Sequence, residues 1–221
     1  MGKPGPKPKP EPSWSSEFAY AVGLLATDGC LSKDGRHIIL VSKDLKQLEN
    51  FKKALGLKNI TIGHTNSGYD GKPCTRVQFG DVTLYQFLLR VGLTPNKSKT
   101  IGILKIPRRY FFDFLRGHLD GDGCTYSYWD PRWRSSFMFY TVFGSASKTH
   151  IEWLQREIHT LAALRGHITG KGKERTIYQL KYAKAESIIL LKRIYYDGNV
   201  MHLPRKRLKI QKMLSIVGER L

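Results

Sequence analysis

The sequence is short of cysteine, of acid and of long apolar runs. Its three cysteines, Cys30, Cys74 and Cys124, are odd in number, widely spaced and not in CxxC form. That argues against a disulfide framework or a structural zinc and for free thiols in a reducing interior. No apolar stretch approaches the roughly 20 residues of a membrane-spanning helix, and no basic amphipathic helix stands out, so no membrane partner is expected. The N-terminus carries no apolar signal core, which points to an intracellular, non-secreted protein, with prokaryotic cytoplasm and organelle both left open. Acids are the scarce charge: 18 Asp and Glu face 37 Lys and Arg, a formal charge of +19. A field of that sign and size attracts polyanions, nucleic acid first among them.

What is present is enough for a folded globule. The 221 residues are 41% hydrophobic and 11% aromatic, sufficient for one large domain or two small ones. Residues 1–14 are the exception, a basic Pro-rich tail that cannot bury a core. It reads as a solvated tail or as a basic arm lying along DNA.

One stretch organises the rest. Ala21-Val-Gly-Leu-Leu-Ala-Thr-Asp-Gly29 is echoed by Leu115-Arg-Gly-His-Leu-Asp-Gly-Asp-Gly123, and the closing aspartates, Asp28 and Asp122, are 94 positions apart. The elements around each copy repeat as well. Ser15 to Glu17 offer N-cap chemistry for a helix through Ala26, and Gly29 suits a left-handed residue after it. A strand over 36–42, a helix over 45–55 capped by Asp44, and a hairpin of 59–65 with 75–79 follow. A helix capped by Asp81 and running through Val91, and a basic loop, Thr94 to Thr100, complete the half. The second half predicts a helix from about residue 109 to the Asp122-Gly123 stop. Strand material from Cys124 to Phe143, broken at 129–133, and a helix over 151–158 follow. Next come a hairpin of 166–170 with 176–182, a helix over 184–195 and a basic loop, Leu203 to Lys209. Antiparallel strands with helices on one face make an α+β protein, a duplicated αββαββα unit with halves at 15–106 and 107–221.

Packing accounts for the glycines Gly23 and Gly117, since small residues let two helices approach backbone to backbone. It does not account for the aspartates. An acid in the last helical turn faces the negative end of the helix dipole, at a cost of some tenths of a kcal/mol. Two such acids brought together repel unless a proton or a metal lies between them. A divalent cation clamping a phosphodiester satisfies both conditions.

The paired motifs, the repeat length and the element order resemble the LAGLIDADG homing endonucleases of the type with both motifs in one chain, over roughly residues 17–215. The resemblance implies a monomer with internal pseudo-twofold symmetry whose two sheets form a DNA-binding saddle. It implies a Mg²⁺-dependent endonuclease that leaves short 3′ overhangs on a long asymmetric duplex, with Mn²⁺ or Ca²⁺ able to substitute for binding. By the same resemblance Asp28 and Asp122 are metal ligands and catalytic acids, with the carbonyls of Thr27 and Gly121 assisting. Motif one has Ala26 where motif two has Asp120, a position that is not the usual ligand. Similar enzymes carry a basic residue in the last loop of each half, which Lys97 and Lys206 match best. Each is a catalytic lysine, a phosphate contact or a solvated one. Lys43, after the second strand, matches a polar or basic position near the site, and Ser145 or Ser147 is its counterpart. An RNA maturase acting on intron RNA, or a non-cleaving DNA-binding protein, is the alternative on the same scaffold.

A β-ribbon fits the major groove and presents alternate side chains to base edges. Polarity alone selects Arg36, Thr61, His64, Arg76 and Gln78 in the first half. In the second it selects Arg132, Arg134, Tyr140, Lys171, Arg175, Tyr178 and Lys181. None of these is an acid.

Overall fold

A computed structural model describes residues 12–66, 71–171 and 177–221. Parts of the two predicted hairpin turns, 67–70 and 172–176, fall outside these residues, Arg175 among them. Among the described residues the order is α1 (Ser16–Thr27), β1 (Gly29–Leu31), β2 (His37–Ser42), α2 (Leu45–Ala54), β3 (Gly63–Asn66), β4 (Pro73–Gly80), α3 (Val82–Val91). A 3₁₀ turn at Arg108–Tyr110 then leads into α4 (Phe111–Asp120), β5 (Cys124–Trp129), β6 (Phe137–Ser145), α5 (Lys148–Ala162), β7 (His167–Lys171), β8 (Ile177–Tyr182), α6 (Lys184–Ile194) and α7 (Pro204–Ile216). Each half builds one antiparallel sheet, β1-β2-β4-β3 and β5-β6-β8-β7, so the duplication is visible strand for strand.

The helix starts follow the side-chain chemistry. The Ser15 hydroxyl accepts from Phe18 N at 3.1 Å, Asp44 accepts from Lys46 N at 3.0 Å and Asp81 accepts from Leu84 N at 3.0 Å, each satisfying an N-terminal amide that has no partner inside the helix. The predicted basic loop at 203–209 is instead the beginning of α7. Pro204 occupies its first turn, where a missing N–H costs nothing. The helix buries only Ile210, Met213 and Leu214, too narrow a stripe for periodicity to show through the lysines and arginines.

At the centre α1 packs along α4. A Cβ on Gly23 would lie 2.2 Å from the Phe114 carbonyl oxygen, and one on Gly117 would lie 2.0 Å from that of Tyr20. Only glycine permits that approach, and it brings the C-terminal ends of the two helices together. Gly29 departs from expectation. It does not take positive φ; it opens β1, and a Cβ there would meet the Leu25 Cα at 2.6 Å. Close approach, not handedness, requires this glycine, and Gly123 repeats the arrangement against Leu119 at 2.6 Å.

The strand register sorts each sheet into two faces. Ile38, Leu40, Val77 and Phe79 pack under the helices in the first half, as do Phe139, Phe143, Leu180 and Tyr182 in the second. The opposite faces carry His37, Arg76 and Gln78 in one sheet and Tyr126, Tyr128, Tyr140, Gln179 and Lys181 in the other.

Candidate active site

Asp28 is the C-cap of α1, its N–H bonded to Leu24 O, and Asp122 lies two residues beyond the end of α4. Asp28 is half-buried, while the Asp122 side chain reaches solvent. Burial and then the charge of Asp122 push the Asp28 carboxyl up to about 6. Burial raises Asp122 too, opposed by Lys97 and Lys206. Repulsion between the two carboxylates thus adds to burial in making Asp28 harder to ionise than a free carboxyl.

The lysines meet the helix ends directly. Lys97, buried, donates to the carbonyls of Thr27 at 3.2 Å and Gly29 at 2.6 Å. Lys206 donates to Leu119 at 2.6 Å, Gly121 at 2.9 Å and Gly123 at 2.7 Å. Thr27 and Gly29 of the first half thus correspond to Gly121 and Gly123 of the second. Burial lowers the pKa of both ammonium groups, while the aspartates oppose that lowering. These cations compensate the carbonyl ends of α1 and α4, where carboxylates alone would be unfavourable. The lysines arrive differently: Lys97 from the turn after α3, Lys206 from the first turn of α7.

Each aspartate opens into its own groove, and both halves line each one. The Asp28 groove is bounded by Val41, Ser42, Lys43 and Gln47 of the first half and by Gly121 and Arg205 of the second. Lys43 is exposed at its edge. The Asp122 groove is bounded by Thr27 and Lys97 of the first half and by Ser145, Ile177 and Gln179 of the second. Ser147 is drawn away from it, capping α5 and donating to Ile101 O at 2.5 Å.

Sequence reasoning passed over Gln47. Its Nε2 donates to Asp28 Oδ2 at 2.5 Å, and its Oε1 accepts from the Ser42 hydroxyl at 2.8 Å. Gln47 is the third residue of α2 and nothing marks it in the sequence; only the fold turns it toward α1. Three residues after the cap of α5 stands His150, which faces His118 instead, with 3.2 Å between Nε2 atoms. The His150 Nδ1 lies 2.9 Å from Gly102 O and so carries a hydrogen, which leaves its Nε2 to accept from His118. Burial, reinforced by each imidazole's cationic surroundings, lowers both histidines, His150 to about 4, and keeps the pair neutral. Asp28 therefore has an amide donor, and the two halves are chemically unequal.

Asp120 is structural in this arrangement. It accepts from Tyr20 Oη and from Leu203 N, both at 2.8 Å, tying α1 to the residue that precedes α7. Burial raises its carboxyl to about 6.

On the open sheet faces, Thr61, Arg76 and Gln78 line one groove with His37. Arg36 is exposed, its guanidinium beside Gly80 at the end of that groove. His64 pairs with Thr75, in the strand phase opposite to Arg76 and Gln78. In the second half Tyr140 and Lys181 occupy the open face, and Lys171 pairs in register with Ile177. Arg134 is exposed in the turn between β5 and β6, where Arg132 is exposed and bonded to Asp130. Tyr178 does not join them. It shares the phase of Leu180 and Tyr182 and packs against the core, because an amphipathic phenol is equally at home on either side of a sheet. Tyr126 and Tyr128, unremarked in the sequence, stand beside Tyr140 on the open face.

The fold is similar to that of LAGLIDADG proteins of known structure. I-WcaI bound to its DNA recognition sequence superposes with a TM-score of 0.59 at 14% identity, over 89% of this chain and 86% of that one. I-DmoI in complex with DNA and Ca gives 0.56 at 14% identity, over 88% and 97%. Full-length DUF199/WhiA from Thermatoga maritima gives 0.57 at 12% identity over 94% of this chain, which spans 62% of the length of WhiA. No family model matches the sequence, and no curated protein does. At these identities the likeness is one of fold. The expected α+β architecture, with two repeated units and one motif helix from each, is what the structure has. Among the described residues no helix is long and apolar enough to cross a membrane.

Proposed function

We propose that the protein is a site-specific, Mg²⁺-dependent DNA endonuclease that makes a staggered cut with short 3′ overhangs in a long asymmetric duplex. The observation that carries this reading is the meeting of Asp28 and Asp122 at the ends of two glycine-packed helices, one end held by the buried Lys97 and the other by the half-buried Lys206.

The residues fit a hard divalent cation. Among the described residues no group of three or more His, Cys, Asp or Glu is positioned to hold a metal, so soft transition-metal chemistry has no ligand set. Two carboxylates of raised pKa offer what Mg²⁺ takes: a few anionic oxygens, with water and substrate phosphate completing the shell. Bound there, the ion supplies a water of lowered pKa and charge stabilisation for the phosphodiester under attack. Asp28 and Asp122 hold it. Gln47 fixes the rotamer of Asp28 through Oδ2. Lys97 and Lys206 favour ionised carboxylates and place positive charge beside the reacting phosphate. Lys206 spends all three N–H bonds on carbonyls, so its contribution is electrostatic. The basic surface and the acid-free sheet faces bind the backbone and read base edges. The I-WcaI and I-DmoI complexes with DNA, and further I-DmoI structures obtained with Mn or Mg, support duplex DNA and a divalent ion as partners here too.

The test is selection from a randomised duplex library in Ca²⁺, then transfer of the selected duplex to Mg²⁺. Cleavage of both strands with Mg²⁺, none with EDTA, and affinity falling steeply with salt support the proposal. Tight binding without cleavage in Mg²⁺ or Mn²⁺ replaces it with a DNA-binding protein. Preference for structured RNA over every selected duplex replaces it with a maturase.

A further inference from the structure

The two open sheet faces differ in chemistry. The first presents Arg76 and Gln78 with Thr61 and His37, side chains that pair with purine edges through hydrogen bonds. The second presents three tyrosines in a ladder. Tyr126 and Tyr140 are directly opposed in the register, their rings 5.0 Å apart and within 20° of parallel. Tyr128 also lies nearly parallel to Tyr140, with 6.3 Å between ring centroids and 14° between planes. Tyr126 and Tyr128 are 37% and 43% exposed, and Met138 is paired opposite Tyr128 in the same strand phase. Lys181 shares this face, and Arg132 and Arg134 flank it in the turn that joins the two strands.

The three nearly parallel rings stand out from the sheet with their edges outermost. Stacking also locks the side chains before any partner arrives, so little rotamer freedom remains to be lost on binding. The tyrosine ring carbons and the neighbouring Met138, framed by positive charge on a ribbon that fits the major groove, complement the thymine C5-methyl, the groove's apolar group.

We propose that the Tyr126–Tyr140–Tyr128 ladder is the specificity element for one half of the target and selects thymine-bearing base pairs through their methyl groups. The proposal rests on the reading of the protein as a duplex-DNA binder. It assigns the halves different recognition chemistry: hydrogen bonding in one, apolar contact in the other.

The probe is the duplex selected in Ca²⁺, resynthesised with deoxyuridine in place of thymidine in one half at a time. Deoxyuridine keeps the base pair and removes only the methyl. Burying one such group is worth about fourfold in affinity, so replacing three contacted thymines lowers it by more than tenfold. The expected result is that loss confined to one half, with the other half within about twofold. Tyr140→Ser, a change on the open sheet face, then abolishes the sensitivity to deoxyuridine, whereas Tyr140→Phe keeps it. Equal tolerance of deoxyuridine in both halves overturns the ladder while leaving the DNA-binding reading intact. A sensitivity that Tyr140→Ser leaves unchanged overturns it as well. If no duplex is bound, the parent reading and this proposal fail together.

Discussion

Gly117 faces Gly23 across the helix pair so closely that a Cβ on Gly117 would fall 3.1 Å from the Gly23 Cα. The separation of α1 and α4 is therefore set by backbone, and the two carboxylates stand where that separation puts them. Gly117→Ala or Gly23→Ala forces the helices apart. Alanine's helix propensity favours the change by about 1 kcal/mol, but backbone collision outweighs it, and a net loss of about 3 kcal/mol or more is expected in urea unfolding. Gly63→Ala, where a Cβ meets nothing within 4 Å, is the control and changes stability little.

The raised carboxyl of Asp28 makes stability and function oppose one another. A carboxylate whose folded pKa of about 6 exceeds its ordinary 3.8 destabilises the fold wherever it must ionise. The penalty is full above pH 6, shrinks as pH falls from 6 to 4 and vanishes below. Asp28→Asn is therefore expected to stabilise the metal-free protein at pH 7.5 by about 1–3 kcal/mol, with the gain gone at pH 4. Thermal unfolding of both proteins across that range measures it. Mg²⁺ should raise the melting temperature of the wild type at pH 7.5 and leave that of Asp28→Asn nearly unchanged.

Lys206 holds one helix end through three carbonyls, so its loss is felt before any chemistry. Lys206→Met keeps the aliphatic stem and removes the three charged donors. A loss of roughly 2–4 kcal/mol is expected. Lys97→Met removes two such bonds and should cost less. Equal stability of wild type and both variants would show that the lysines do not cap α1 and α4.

Much of this was legible in the sequence because it is written in local chemistry. The Asp-Gly endings, the capping residues Ser15, Asp44 and Asp81, and the alternation in β4 each act over a few positions. What stayed hidden depends on distant partners. Gln47 matters only because α2 turns it toward α1. The pairing of His118 with His150 joins two helices that no spacing relates. The start of α7 is masked by a lysine- and arginine-rich face, although Pro204 was a signal for it. Strand phase was misjudged where polarity is ambiguous, as at Tyr178.

Asp120, the acid that motif one lacks, supports the second lysine from a distance. Asp120→Ala strands the buried Tyr20 hydroxyl and the Leu203 amide, at about 1–3 kcal/mol each. Asp120→Asn retains an acceptor and should recover most of the loss. Amide hydrogen exchange in the first turn of α7 should accelerate in the alanine variant and stay near wild type in the asparagine variant.

The central claim is that one aspartate from each half acts on a single scissile region. It is tested most directly by single-turnover cleavage of the selected duplex in Mg²⁺, comparing wild type with Asp28→Asn and Asp122→Asn at matched binding. The account predicts that wild type cuts both strands and that each variant, still bound, loses cutting of at least one strand by a factor of 100 or more, on the order of 3 kcal/mol in the barrier. Cleavage of both strands at wild-type rate by either variant would contradict it.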